Sequence, residues 1–132
     1  MQKIRILLAD DHRRLLELVQ GLLEPTFDVV GCVKDGEALL EAAAKLQPDV
    51  IVTDISMPKL DGIEAAGRLR ESGSTLKIVF LTVHADADFV QAVLNTGALT
   101  YVTKSRIDTD LVVAIGEALA GRMFISPLES AV

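Results

Sequence analysis

The chain has 132 residues, 50% of them hydrophobic and 24% charged, with a formal net charge of −6. That length and balance fit one soluble globular domain with a sizeable core, and leave little room for a second. The acidic excess argues against direct nucleic-acid binding, which needs clustered Lys and Arg, and Arg13-Arg14 is only an isolated pair.

With no Trp and 4% aromatics, Leu, Val, Ile and Ala must fill the core. Cys32 is the single cysteine, so no intrachain disulfide forms, and its apolar setting predicts a buried core thiol. The first apolar run meets Asp10-Asp11 too soon for a signal peptide. No stretch approaches the ~20 apolar residues of a membrane span, so a soluble, cytoplasmic chain with no membrane partner is expected.

In chain order, five short apolar runs alternate with longer amphipathic segments. The runs are Ile4–Ala9, Phe27–Val33, Val50–Val52, Ile78–Leu81 and Leu99–Val102. Their length and β-branched content predict strands, and several lack alternation, as when helices cover both faces of a parallel sheet. Leu15, Leu18, Val19, Leu22 and Leu23 form one helical stripe, Phe89, Val90, Val93 and Leu94 another, and Leu111, Val112, Ile115 and Leu119 the last. Pro25 closes the first helix, Asp35-Gly36 opens the second, and Asp61-Gly62 leads into the third. Ser72-Gly73 ends that helix, and Gly97 and Gly121 stand where C′ glycines belong. The expected fold is α/β, a (βα)5 three-layer sandwich with right-handed crossovers. The domain is read as residues 1–121, with 122–132 an aperiodic tail or the start of a linker.

Chemistry gathers at the carboxyl ends of the predicted strands: Asp10 and Asp11 after the first, Asp54 after the third, Thr82 after the fourth, Lys104 after the fifth. Parallel strands bring these ends to one rim, where ligands bind in such sheets. Three carboxylates held together repel one another unless a cation joins them, and an oxygen-rich site with few protein ligands suits Mg²⁺. A carboxylate beside such an ion can serve as a phosphoryl acceptor, with Lys104 and Thr82 available to the phosphoryl oxygens. Taken singly, each has an ordinary reading: Asp11 as a helix cap, Asp54 as a turn residue, Thr82 as a strand residue, Lys104 as a solvated side chain. Their coincidence on one rim is what favours chemistry.

Leu8-Ala9-Asp10-Asp11, Asp54-Ile55-Ser56-Met57-Pro58-Lys59-Leu60-Asp61-Gly62, Leu81-Thr82, Gly97-Ala98 and Tyr101-Val102-Thr103-Lys104 together resemble receiver domains of two-component response regulators, the CheY-like superfamily. The resemblance implies a doubly wound, flavodoxin-like five-stranded parallel sheet of order 2-1-3-4-5. It implies a phosphoacceptor switch and not an enzyme on external substrates, one that assists its own phosphorylation and dephosphorylation. Asp54 would accept a phosphoryl group from a sensor histidine kinase. Asp11, Asp54 and the Ser56 carbonyl would ligate Mg²⁺, with Asp10 acting largely through water. Thr82 and Lys104 would bind the phosphoryl oxygens, and Thr82 and Tyr101 would act as the switch, Tyr101 turning inward.

Leu81-Thr82-Val83-His84 and Ala120-Gly121-Arg122-Met123-Phe124-Ile125-Ser126-Pro127 are similar to receivers of the NarL/FixJ type. That similarity implies dimerisation on phosphorylation and DNA contact only through a helix-turn-helix output domain absent from this chain, which is read as an excised receiver. Ser105 stands where many receivers place Pro, which leaves the loop after Lys104 open. Val83, where a small residue is common, is expected to shield the acyl phosphate from water, and His84 is read as a solvated loop residue. Two other classes compete: an interaction module without phosphorylation, and a metal-dependent phosphohydrolase. The latter would need an added general acid and a lid, and the connections are too short for a lid.

Overall fold

The structure is a computed structural model and describes residues 3–83, 91, 95 and 100–126. In chain order the elements are β1 (Arg5–Ala9), α1 (Arg13–Leu23), β2 (Asp28–Val33), α2 (Gly36–Leu46) and β3 (Val50–Asp54). They continue with α3 (Gly62–Glu71), β4 (Lys77–Thr82), β5 (Thr100–Thr103), α4 (Ile107–Leu119) and β6 (Phe124–Ile125). A 3-10 turn over Lys104–Arg106 joins β5 to α4. The stripe Phe89, Val90, Val93 and Leu94, together with Gly97 and His84, lies outside the described residues. Gln91 and Asn95 there are helical, with their side chains 3.0 Å apart.

All strands are parallel, in the order β2-β1-β3-β4-β5-β6. The first five keep the expected order. The sixth lies within the segment read as a tail or the start of a linker, where Phe124 and Ile125 pair with Thr100 and Tyr101. A strand of two residues shows no period, and its reason to form is the open edge of β5. Beside it, Ser126 N–H donates to the Tyr101 carbonyl at 2.9 Å, and Ser126 Oγ donates to Asp110 at 2.7 Å. Arg106 also pairs with Asp110 at 2.8 Å and, despite burial, holds that carboxyl below its ordinary pKa, with Ser126 and Thr109 adding to the effect.

The period of two along each strand divides the core. Ile6, Leu8, Val50, Val52, Val79, Leu81 and Val102 face α1 and α4, packing on Leu16, Val19, Leu23, Leu111 and Ile115. Leu7, Ala9 and Ile51 face the opposite layer and pack on Leu39, Ala43 and Ala65. Every residue of β3 is buried, so this central strand is anchored from both sides. Full burial of each branched side chain contributes about 1.5–3 kcal/mol, which is why β3 holds its terminal residue so firmly.

Three packing expectations are corrected. Leu18 is 63% exposed, while Leu16, Val19 and Leu23 are the buried residues of α1. At about 100° per residue, Leu18 stands roughly 130° from the centre of that stripe. In α4, Val112 and Leu119 are exposed, and the buried stripe runs through Ile107, Leu111, Ala114, Ile115 and Ala118. Ala114 and Ala118 share the packed face with Ile107, Leu111 and Ile115, so side-chain size alone does not mark it. Cys32 is exposed, not buried, because β2 is an edge strand; its thiol lies 3.7 Å from Gln20 Oε1.

The caps agree with expectation. Asp35 and Asp61 each accept an N–H at 2.8 Å, from Ala38 and Glu64, and start α2 and α3. Gly73 and Gly121 follow their helices with φ of +86° and +73°. Among the described residues no helix is long and apolar enough to cross a membrane.

Candidate phosphoacceptor site

Register carries the site residues to one rim. Ala9 pairs with Thr53, Asp54 with Leu81, and Thr82 with Thr103. Asp10, Asp54, Thr82 and Lys104 therefore stand at or one residue beyond the carboxyl ends of β1, β3, β4 and β5. Asp10, Asp54 and Thr82 are all buried, at 2%, 4% and 2% exposure. Asp10 is held in line because its N–H donates to Val33 O at 3.0 Å, and its Oδ1 accepts from His12 N–H at 2.8 Å. Asp11 is exposed and does not cap α1; the N-cap residue is His12, without a side-chain cap bond.

Lys104 Nζ lies 3.1 Å from Asp10 Oδ2 and 3.1 Å from Asp54 Oδ2, with its side chain only 14% exposed. One cation thus serves two buried carboxylates. Asp10 Oδ2 makes no hydrogen bond of acceptable geometry, so its contact with Lys104 is an ion pair by proximity alone. The Asp54 carboxyl is held above its ordinary pKa, by burial first and by the Asp10 charge second, with Lys104 opposing.

The loop after β3 is built around two close backbone approaches. Gly62 N–H donates to Ile55 O at 2.7 Å, and a Cβ at Gly62 would stand 2.1 Å from Asp54 O. A Cβ at Gly36 would meet Leu60 O at 2.0 Å, which ties the start of α2 to the same loop. Lys59 turns the chain with φ of +68° and reaches Asp35 at 3.9 Å. Gly62→Ala is expected to destabilise the fold by about 3 kcal/mol, the upper part of the overpacking range, because the opposing atom is backbone. Urea unfolding measures this, and an unchanged midpoint would contradict the close approach.

Sequence reasoning passed over His12. Its Nδ1 lies 3.0 Å from Asp10 Oδ1 and 3.1 Å from Asp11 Oδ1. One donor atom from each of Asp10, Asp11, His12 and Asp54 falls within 4.8 Å of all the others. The available cue was its position directly after the acidic pair. Ser56 is exposed on the same loop, and Val83 is 71% exposed just past Thr82. Tyr101 is fully buried with Ile55, Ala66 and Phe80, so the inward position is the one occupied here.

The donor set fits a hard divalent cation. It is dominated by carboxylate oxygen, carries a buried oxygen without a hydrogen bond, and has more negative than positive charge.

A parallel α/β sheet with an acidic rim, a half-buried lysine and a terminal strand threonine defines a receiver class. The response regulator receiver domain model matches residues 6–116, and the chain belongs to that family. The chain is 39% identical over 127 residues to the transcriptional regulatory protein DegU of Brevibacillus brevis, covering 95% of this chain and 54% of that protein. It is 37% identical over 123 residues to the nitrate/nitrite response regulator NarL of Escherichia coli K12, covering 92% of this chain and 57% of NarL. Its fold matches the crystal structure of a LuxR-family two-component response regulator from Aurantimonas sp. SI85-9A1, with a TM-score of 0.90 and 34% identity. That match covers 96% of this chain and 91% of the other. This chain is therefore a receiver domain of two-component response regulators of the LuxR/NarL type. It spans a little over half the length of the curated relatives it matches.

Proposed function

We propose that Asp54 is the phosphoacceptor, taking a phosphoryl group from the phosphohistidine of a sensor histidine kinase. The observation that carries this reading is the buried Asp54 carboxylate at the rim, 3.1 Å from a lysine it shares with Asp10. An Asp54 carboxylate oxygen attacks phosphorus, the P–N bond to the kinase imidazole breaks, and an acyl phosphate forms. Hydrolysis then returns inorganic phosphate and the free carboxylate. Lys104 Nζ supplies a fixed positive charge to the phosphoryl oxygens, and the Thr82 hydroxyl donates to them.

Asp11, Asp54 and the Ser56 carbonyl would hold Mg²⁺, with Asp10 contributing largely through water. The ion would supply neutralising charge between the phosphoryl oxygens and the acidic rim. The switch would run through Thr82 at the end of β4 and Tyr101 in β5, the phosphoryl group drawing Thr82 toward it and holding the Tyr101 ring inward behind it. The domain acts in the cytoplasm as a switch and not as an enzyme on external substrates. It pairs with a second copy on phosphorylation. It reaches DNA only through an output domain that regulates transcription and lies outside these residues.

Incubation with acetyl phosphate and Mg²⁺, read by intact mass, tests this function. A phosphoryl adduct is expected on the parent and none on Asp54→Asn; an unmodified parent would instead favour an interaction module without phosphorylation. Val83, 71% exposed just past Thr82, would screen the acyl phosphate from water. Val83→Ala is expected to shorten the adduct's lifetime by about two- to fivefold, under ~1 kcal/mol of barrier. An unchanged dephosphorylation rate would remove that role.

A further inference from the structure

His12 is not needed for the phosphoacceptor reading, yet its ring sits in the same pocket. Its Nδ1 is 3.0 Å from Asp10 Oδ1 and 3.1 Å from Asp11 Oδ1. With bonds of about 2.1 Å, neighbouring donors around an octahedral ion stand about 3.0 Å apart and opposite ones about 4.2 Å. The donor atoms of Asp10, Asp11, His12 and Asp54, all within 4.8 Å of one another, already span such a shell. Asp10 beside it is 2% exposed, and its Oδ2 stands 3.1 Å from Lys104 Nζ without a hydrogen bond.

We propose that His12 is a cation-selectivity residue, giving the rim pocket a nitrogen ligand for borderline divalent transition ions such as Co²⁺, Ni²⁺ and Zn²⁺. This inference rests on the rim carboxylates forming a divalent-cation site. Imidazole suits these ions, whereas Mg²⁺ prefers oxygen and keeps its waters. The His12 side chain is 69% exposed, so water can take its place when Mg²⁺ is bound. With a transition ion, the ring adopts its Nε2–H tautomer, gives up the hydrogen bond of Nδ1 to Asp10 and its close approach to Asp11, and ligates through Nδ1. His12 then fills a coordination position that the Mg²⁺ form leaves to water or a phosphoryl oxygen.

The test uses the full chain with Cys32→Ser throughout, so that the single thiol does not compete for the ion. Co²⁺ and Mg²⁺ are titrated separately by calorimetry into parent, His12→Ala and His12→Gln proteins. Gln can still hydrogen-bond the carboxylates but offers no nitrogen lone pair, and since His12 makes no side-chain cap bond, neither substitution removes a cap of α1. Co²⁺ affinity is expected to fall about tenfold or more in both variants, while Mg²⁺ affinity stays within about twofold. The Co²⁺-loaded parent should show a strongly shifted imidazole proton resonance that both variants lack. Unchanged Co²⁺ affinity in variants of a parent that binds Mg²⁺ would overturn the role of His12 alone. A parent that binds neither ion would overturn the cation-site reading along with it.

Discussion

Asp54→Asn is expected to abolish the phosphoryl adduct and, in the absence of divalent ions at neutral pH, to make the fold more stable than the parent. The first effect follows from the loss of the nucleophilic oxygen. The second follows from the raised pKa of the Asp54 carboxyl, caused mainly by burial and then by Asp10. A carboxyl whose pKa is higher folded than unfolded holds its proton more tightly in the folded chain. As pH rises through the ordinary carboxylate range, the unfolded chain ionises first, and the fold loses stability that it does not regain at higher pH. Asn has no such ionisation. It also leaves Lys104 in a one-to-one pair with Asp10, in place of one cation between two buried anions.

The gain at neutral pH is set at about 1–3 kcal/mol, the scale on which replacing imperfectly balanced buried charge acts. Urea unfolding in EDTA at several pH values should show parent and variant converging below the ordinary carboxylate range and separating above it. Mg²⁺ should narrow the gap, because the parent gains more from binding the ion. A variant less stable than the parent at neutral pH would mean that Lys104 fully compensates the buried charge.

Lys104→Met is expected to have the opposite sign and a larger size. It leaves Asp10 and Asp54 buried side by side with no cation, and breaking a buried pair in this way costs about 3–5 kcal/mol. Methionine keeps much of the aliphatic volume, so the loss reports charge more than packing. Millimolar Mg²⁺ should restore a larger share of stability in this variant than in the parent, since ammonium and metal neutralise the same carboxylates. Phosphorylation by acetyl phosphate should also slow, because a fixed positive charge at the transferring group is gone. Equal urea midpoints for parent and variant in EDTA would refute Lys104 as the structural counter-charge.

Much of the site was legible because parallel topology makes its own address: strand ends share a rim. Asp10, Asp54, Thr82 and Lys104 each terminate a β-rich run, and Asp35 and Asp61 cap helices through interactions confined to a few residues. His12 and Gly62 were less legible because their importance depends on what faces them. His12 reads as a residue near a helix start until its ring is found between two carboxylates. Gly62 reads as half of a turn until its missing Cβ makes room for the Asp54 carbonyl.

By itself the sequence determined the alternation of strand and helix, the caps, and the residues that meet at the rim, because period and turn chemistry are local. Tertiary structure decided the rest. The edge position of β2 exposes Cys32, a packed face that includes Ala114 and Ala118 leaves Val112 and Leu119 outward, and the open side of β5 recruits Phe124 and Ile125 as a sixth strand. Burial likewise made one lysine the counter-charge of two aspartates, since a cation shared at 3.1 Å is a property of the folded rim and not of any one segment.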